Sequence, residues 1–196
     1  MYTMSTTETA DRVADAAREI LAAEGSRAVT MRRVAEAAGI TAMAIYKHYP
    51  SREALLGEVA DRAFRDLGRT WGRRDTAGDW QSRALGLLDD FLDFALGSPH
   101  LYAFLMTERR ERARRFPEGF RESGSPAYSR VVAAVEEGMA AGLLRRDDPL
   151  EVALALTAPV QGLVQLYLGG RMGLPEAEFR ALCHRTAGRV LDGIRA

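Results

Sequence analysis

The sequence predicts an all-α protein, with an N-terminal three-helix segment followed by a larger helical body. Three observations carry this reading. Alanine, leucine, arginine and glutamate, all good helix formers, dominate the 196 residues. Apolar residues recur at three- and four-residue spacing, with no period-two alternation of strand length. Glycine, proline and capping residues interrupt the pattern at intervals suited to helices.

The elements follow in chain order. Residues 1–7 read as a flexible polar tail, 8–52 as a three-helix domain, and 53–196 as the body. The first helix runs from about Glu8 to Glu24, with Val13, Ala16, Ala17, Ile20 and Leu21 forming one apolar stripe. Gly25 stops it. Thr30 caps a second helix whose buried side is Val34, Ala35 and Ala38. Gly39 ends that helix, and Thr41 caps a third that reaches about Lys47. Pro50 breaks the chain, and Ser51 caps a fourth helix. Further helices are expected at about 51–70, 79–97, 100–114, 125–142, 149–169 and 176–194, between breaks rich in glycine and proline.

Two short helices around a glycine turn have the spacing of a helix-turn-helix, whose second helix enters the major groove of DNA. Ile40 and Ile45 are placed to pack the turn and that second helix onto the first helix. Charge agrees. From Ser26 to Arg52 the cations are Arg27, Arg32, Arg33, Lys47 and Arg52, and the only acid is Glu36. Five against one gives a local charge of +4 in a chain whose 27 basic and 27 acidic residues cancel. Such a cluster suits phosphate contacts and counterion release. Backbone N–H groups at the starts of the second and fourth helices suit the same partner.

Thr30 to Leu56 resembles the DNA-binding domain of the TetR family. The residues that carry the likeness are the Thr-opened helix, Ala35, Ala38 and Gly39 at the turn, Tyr46-Lys47-His48-Tyr49, Arg52, and the pair Leu55 and Leu56. The resemblance implies that Tyr46 and His48 touch the DNA backbone and that Arg52 meets a phosphate. It places Arg32 near a base edge or a phosphate, beside Arg33 and Thr30. Thr41, Ala42, Met43, Ala44 and Lys47 form the recognition surface. Tyr49 stands at the family's aromatic core position. Met43 replaces the small residue common there, which alters the expected operator rather than the fold.

The body carries no motif of comparable sharpness. In the TetR family this part dimerises and binds a small effector, so the resemblance implies a homodimer, a palindromic operator and a small-molecule ligand. Ala158 to Arg171 is similar to the penultimate helix of one such C-terminal subfamily. Candidate dimer residues on the last two helices are Leu150, Leu154, Leu163, Tyr167, Phe179, Leu182, Val190 and Ile194. Candidate effector contacts are Phe91, Phe94, Tyr102, Phe104, Leu105, Tyr128, Val131, Val135, Met139 and Gln161, with plain core packing as the alternative. Pro159 is expected to kink its helix. The run Glu108 to Arg115 reads as a solvated helix face laced with ion pairs, or else as a site for an anionic effector.

Other function classes find little support. There is no nucleotide-binding glycine loop, nucleophile motif or metal-spaced histidine cluster, and His48, His100 and His184 lie far apart. A single cysteine, Cys183, makes no internal disulfide and is expected to be buried. No cofactor, metal or catalytic residue is expected, nor any membrane association, and the polar start lacks the apolar core of a signal peptide. A small enzyme, or a helical interaction module that no longer reads DNA, is the alternative.

Overall fold

The computed structural model describes residues 6–73, 78–111, 113–121 and 126–196. Most of the 1–7 tail lies outside them. Among the described residues there is no strand, only an isolated bridge between Leu144 and Arg195. The helices are α1 (Thr6–Glu24), α2 (Met31–Ala37), α3 (Ala42–Ile45), α4 (Arg52–Thr70), α5 (Trp80–Gly97), α6 (Pro99–Met106), α7 (Glu118–Arg121), α8 (Tyr128–Ala140), α9 (Pro149–Leu168) and α10 (Glu176–Gly193).

The chain divides into two compact units. The first takes in the chain as far as Phe64 together with Ser98–Ala113, and the second holds Arg65–Gly97 and Arg114–Ala196. In the first, the α1 stripe closes on α2, α3 and α4: Val13, Ala17, Leu21, Val34, Ile45, Leu55 and Val59 are fully buried. From α6, Tyr102 and Phe104 add two large buried rings to this unit. In the second, Val135 of α8, Val152 and Ala153 of α9 and Leu191 of α10 form a core with Leu144 from the α8–α9 connection. Tyr128, Val131, Met139 and Ile194 pack against it. On α10, Phe179 is fully buried and stacks on Tyr167 of α9, with ring centroids 4.1 Å apart.

Helix starts and stops follow the punctuation. Asp148 caps α9, accepting hydrogen bonds from the backbone N–H groups of Leu150 at 2.9 Å and Glu151 at 3.2 Å. Pro99 and Pro149 each stand in a first turn, where a missing N–H costs nothing.

One predicted element is corrected. The helix expected over 100–114 ends at Met106. The Thr107 hydroxyl donates to the Ala103 carbonyl at 2.7 Å as the chain turns away. Beyond it the charged residues take tertiary partners. Glu108 accepts a hydrogen bond of 2.6 Å from the Ser26 hydroxyl. The Arg110 guanidinium lies over the rings of Phe64 and Phe104, 5.7 and 5.2 Å from their centroids. Helical ion pairs contribute only about 0.2–0.5 kcal/mol each, and cation–π contacts of about 0.5–2 kcal/mol outweigh them. The solvated helix face read from Glu108 to Arg115 is therefore not formed.

Candidate nucleic-acid interface

The turn between α2 and α3 is fixed by backbone chemistry. Gly39 has φ +66°, in the left-handed region that disfavours a Cβ. Its N–H bonds to the Glu36 carbonyl at 3.1 Å and that of Ile40 to the Ala35 carbonyl at 2.9 Å. This pair of bonds satisfies the last carbonyls of α2 and points the chain into α3. Three hydroxyls then cap three helices by the same i→i+3 pattern. Thr30 Oγ1 accepts from the Arg33 N–H at 3.3 Å, Thr41 Oγ1 from that of Ala44 at 3.2 Å, and Ser51 Oγ from that of Ala54 at 3.0 Å.

The predicted recognition segment divides by exposure. Ile45 is fully buried and holds α3 against the unit's core. Tyr49 is buried and donates its hydroxyl hydrogen to the Ala10 carbonyl at 3.1 Å, which ties the end of the segment to α1. Burial raises its phenol pKa above the usual value. Facing outward are Thr41, Ala42, Lys47, Met43 at 76% exposure and Tyr46 at 52%, with Ala44 and His48 half-buried. α3 itself is shorter than expected, ending at Ile45, so Tyr46, Lys47 and His48 sit on the turn that follows.

The cations are not equivalent. Arg32 is exposed beside the Thr30 cap, and Arg27 is exposed on the 3₁₀ turn Ser26–Ala28. Arg33 forms a two-pronged ion pair with Glu24, Nη1 to Oε2 at 2.8 Å and Nη2 to Oε1. That hydrogen bond holds the Glu24 carboxyl below the usual carboxylate range and raises the Arg33 pKa. Glu24 lies just outside the +4 window, so the window overstates the charge free to face a polyanion. Arg52 is half-buried and turns inward, donating from Nε to the Val29 carbonyl at 2.6 Å and from Nη2 to Ser26 O. It ties the start of α4 to the turn before α2. Ser26 in turn donates to Glu108. This link from the helix-turn-helix to residues after α6 spans 82 positions, and nothing local in the sequence signals it.

The remaining candidates fall in both units. Tyr102, Phe104 and Leu105 are buried in the first. In the second, Tyr128, Val131, Val135 and Met139 come together in the α8–α9–α10 core. Phe91 is buried edge-on to Trp71. Phe94 and Gln161 are half-buried. Of the dimer candidates, Leu150 and Phe179 are interior to the chain and offer no face to a partner, which corrects their assignment. Leu154 is 41% exposed, and Leu163, Tyr167, Leu182, Val190 and Ile194 are half-buried. Leu166 and Leu168, not singled out from the sequence, are exposed with Leu154 on α9. Cys183 is buried, and burial pushes its thiol up to about 11, which keeps it protonated and unreactive at neutral pH. Among the described residues no cluster of His, Cys, Asp and Glu has the arrangement of a metal site.

The sequence matches two family models. That of bacterial regulatory proteins of the tetR family covers residues 13–59, and that of the tetracyclin repressor-like C-terminal domain covers 85–190, more than half the chain. A comparison with curated proteins finds no match. Among solved structures, a protein of unknown function from Rhodococcus sp. RHA1 is similar with TM-score 0.78 and 23% identity, over 100% of this chain and 98% of that one. The transcriptional regulator FadR from Bacillus subtilis, solved in complex with stearoyl-CoA, has TM-score 0.73 and 14% identity, over 94% and 98%. A TetR-family transcriptional regulator from Haemophilus influenzae RD has TM-score 0.68 and 17% identity, over 99% and 100%. At these identities the likeness concerns the fold. The family matches and the capped helix-turn-helix together establish that this chain belongs to the TetR family and is a DNA-binding transcriptional regulator.

Proposed function

We propose that the chain works as a cytoplasmic homodimer that represses transcription by holding a palindromic operator and is released by a small-molecule effector. The observation that carries the proposal is the outward surface of α3, uncovered in the free chain, with Arg32 and Lys47 beside it. Residues 8–52 act as the DNA-reading module. Thr41, Ala42, Met43 and Lys47 face the major groove. Thr30, Tyr46 and His48 meet the backbone. Arg32 reaches a phosphate or a base edge. Arg33 and Arg52 contribute charge and hold the module's shape, because their guanidinium groups already have partners within it.

Dimerisation is supported by α9. Its exposed positions include Leu154, Ala155, Ala158, Gly162 and Leu166, an apolar and small-residue face free of charge after Glu151. α9 has the length and apolar composition of a membrane-crossing helix. Exposed Gln165 and the neighbouring Gln161 favour pairing with a second copy over burial in lipid. Two half-sites about one helical turn apart require two recognition helices, which a dimer supplies. The effector is read as a small apolar molecule received by the second unit, near Phe94, Tyr128 and Gln161. The stearoyl-CoA held by the Bacillus subtilis regulator makes acyl compounds the first to try. It must bind the two states of the dimer with different affinity to release DNA. No catalytic role is proposed.

The test is enrichment of duplexes from a random library at near-physiological salt, followed by binding assays on variants. A short palindrome should emerge. Arg32→Ala and Lys47→Ala should each flatten the salt dependence by about one unit of log–log slope, and Tyr46→Ala should weaken binding while the dimer stays folded. If all three variants bind as the parent does, the interface is misassigned.

A further inference from the structure

The residues around α3 restrict what it can read. From Ile40 to Tyr49 the chain contains no arginine, asparagine, glutamine, aspartate or glutamate. Arginine, asparagine and glutamine make bidentate hydrogen bonds to guanine or adenine and the carboxylates accept from cytosine, so Lys47 is the one side chain of this stretch left to bond guanine in that way. What faces outward is the Ala42 methyl, the Met43 thioether, the Tyr46 phenol and the Lys47 ammonium. Thr41 Oγ1 accepts from the Ala44 N–H at 3.2 Å, so this hydroxyl is committed in part to the cap and keeps its O–H to donate. Among the described residues Met43 is the most exposed of the large hydrophobic ones. It stands one residue into a helix whose start is pinned by the Thr41 cap and whose end is pinned by buried Ile45. Its position is therefore fixed while most of its side chain stands in water.

The flanking cations suit a polyanion, and the major groove of DNA offers one apolar feature, the C5 methyl of thymine. Methionine is long, unbranched and polarizable, and it adapts to such a shallow apolar target. Resting on the DNA-reading role proposed above, we infer that Met43 is the specificity-determining residue of this regulator and that it reads thymine methyl groups in each operator half-site. The half-site then carries A·T pairs with their methyls under Met43. Arg32 and Lys47 supply affinity, and the contacts they make are independent of the thymine methyl.

The experiment uses the full chain and the duplex enriched from the random library, with each thymine replaced in turn by uracil, which removes only the methyl. At one or two positions per half-site the replacement should weaken binding about fourfold per methyl, the value of one buried CH₃ or CH₂. 5-Methylcytosine, paired with guanine at those positions, should bind better than cytosine. The uracil penalty should persist in Arg32→Ala and in Met43→Leu, and vanish in Met43→Ala and in the similarly long but polar Met43→Gln. Uracil replacements that are all neutral, or equally costly in Met43→Ala, would overturn the inference while leaving the DNA-reading role intact. If no duplex is enriched at all, that role falls, and the assignment of Met43 with it.

Discussion

Both units of this regulator leave apolar side chains in water, in different company. In the first, Met43 on a four-residue helix and Tyr46 on the turn that follows it project with Arg32 and Lys47 nearby. In the second, Leu154, Leu166 and Leu168 lie on the twenty-residue α9, whose only charged side chain is Glu151. Exposed apolar surface alone does not name its partner. The surroundings do: cations beside a short capped helix suit a polyanion with a groove, whereas a long neutral face with small residues suits another helix like itself. The two regions also differ in reserve. α9 is braced by a core drawn from three helices, while α3 depends on one cap, one buried isoleucine and a glycine turn.

Breaking the second unit's core should have the largest effect. Phe179 is fully buried and stacked on Tyr167, so Phe179→Ala removes a ring from a site that collapses only partly. Loss of about 3–5 kcal/mol is expected, read as a lower midpoint in urea unfolding. A loss under 1 kcal/mol would mean that Tyr167 refills the space, and that this unit tolerates change better than its burial implies.

Next comes the uncovered face of α9. Leu166→Glu places a carboxylate in the proposed pairing surface, with little cost to the single chain because the side chain is already exposed. The sedimentation velocity profile should shift to that of a monomer. Operator affinity should fall roughly a hundredfold or more as the two half-sites lose their linkage. A variant that stays dimeric would move the interface elsewhere and undo the contrast between the two exposed surfaces.

How much of this was legible in the sequence depends on the range over which each signal acts. The three hydroxyl caps and the Gly39 turn each act within three to five residues, and all four stand where the spacing places them. The boundaries of α5, α9 and α10 follow their glycine and proline breaks for the same reason. The Glu24–Arg33 pair lies nine positions apart across a turn, so counting charge from Ser26 onward missed it. The Ser26–Glu108 bond and the seating of Arg110 on Phe64 and Phe104 are tertiary, and they end a helix whose composition alone would continue it. Leu150 and Phe179 read as interface because apolar periodicity marks a buried face without saying whose atoms bury it.

The smallest expected effect gives the sharpest comparison, because one chemical edit can be made in both regions. Thr41→Ala removes the cap of α3, and Asp148→Ala removes that of α9. A lost cap costs about 1 kcal/mol in a typical helix. In α3 the loss falls on a helix of four residues, too short to hold itself, so it should appear as weaker operator binding with the unfolding midpoint nearly unchanged. In α9 the cap is one brace among many, and its loss should lower the midpoint slightly without touching affinity. The two caps also differ in pH response. The Arg121 side chain, followed by the backbone N–H groups of Glu151 and Leu150, holds the Asp148 carboxyl below its ordinary value. Its contribution is present in full above the ordinary aspartate range and fades as pH falls through the lowered one, while the Thr41 hydroxyl does not titrate. Unfolding midpoints of Asp148→Ala and the parent should therefore converge in acid, and those of Thr41→Ala and the parent should keep the same small difference throughout. If Thr41→Ala instead lowered the midpoint as much as Asp148→Ala at neutral pH, α3 would be folding as one with its unit, and the recognition helix would have the reserve denied to it here.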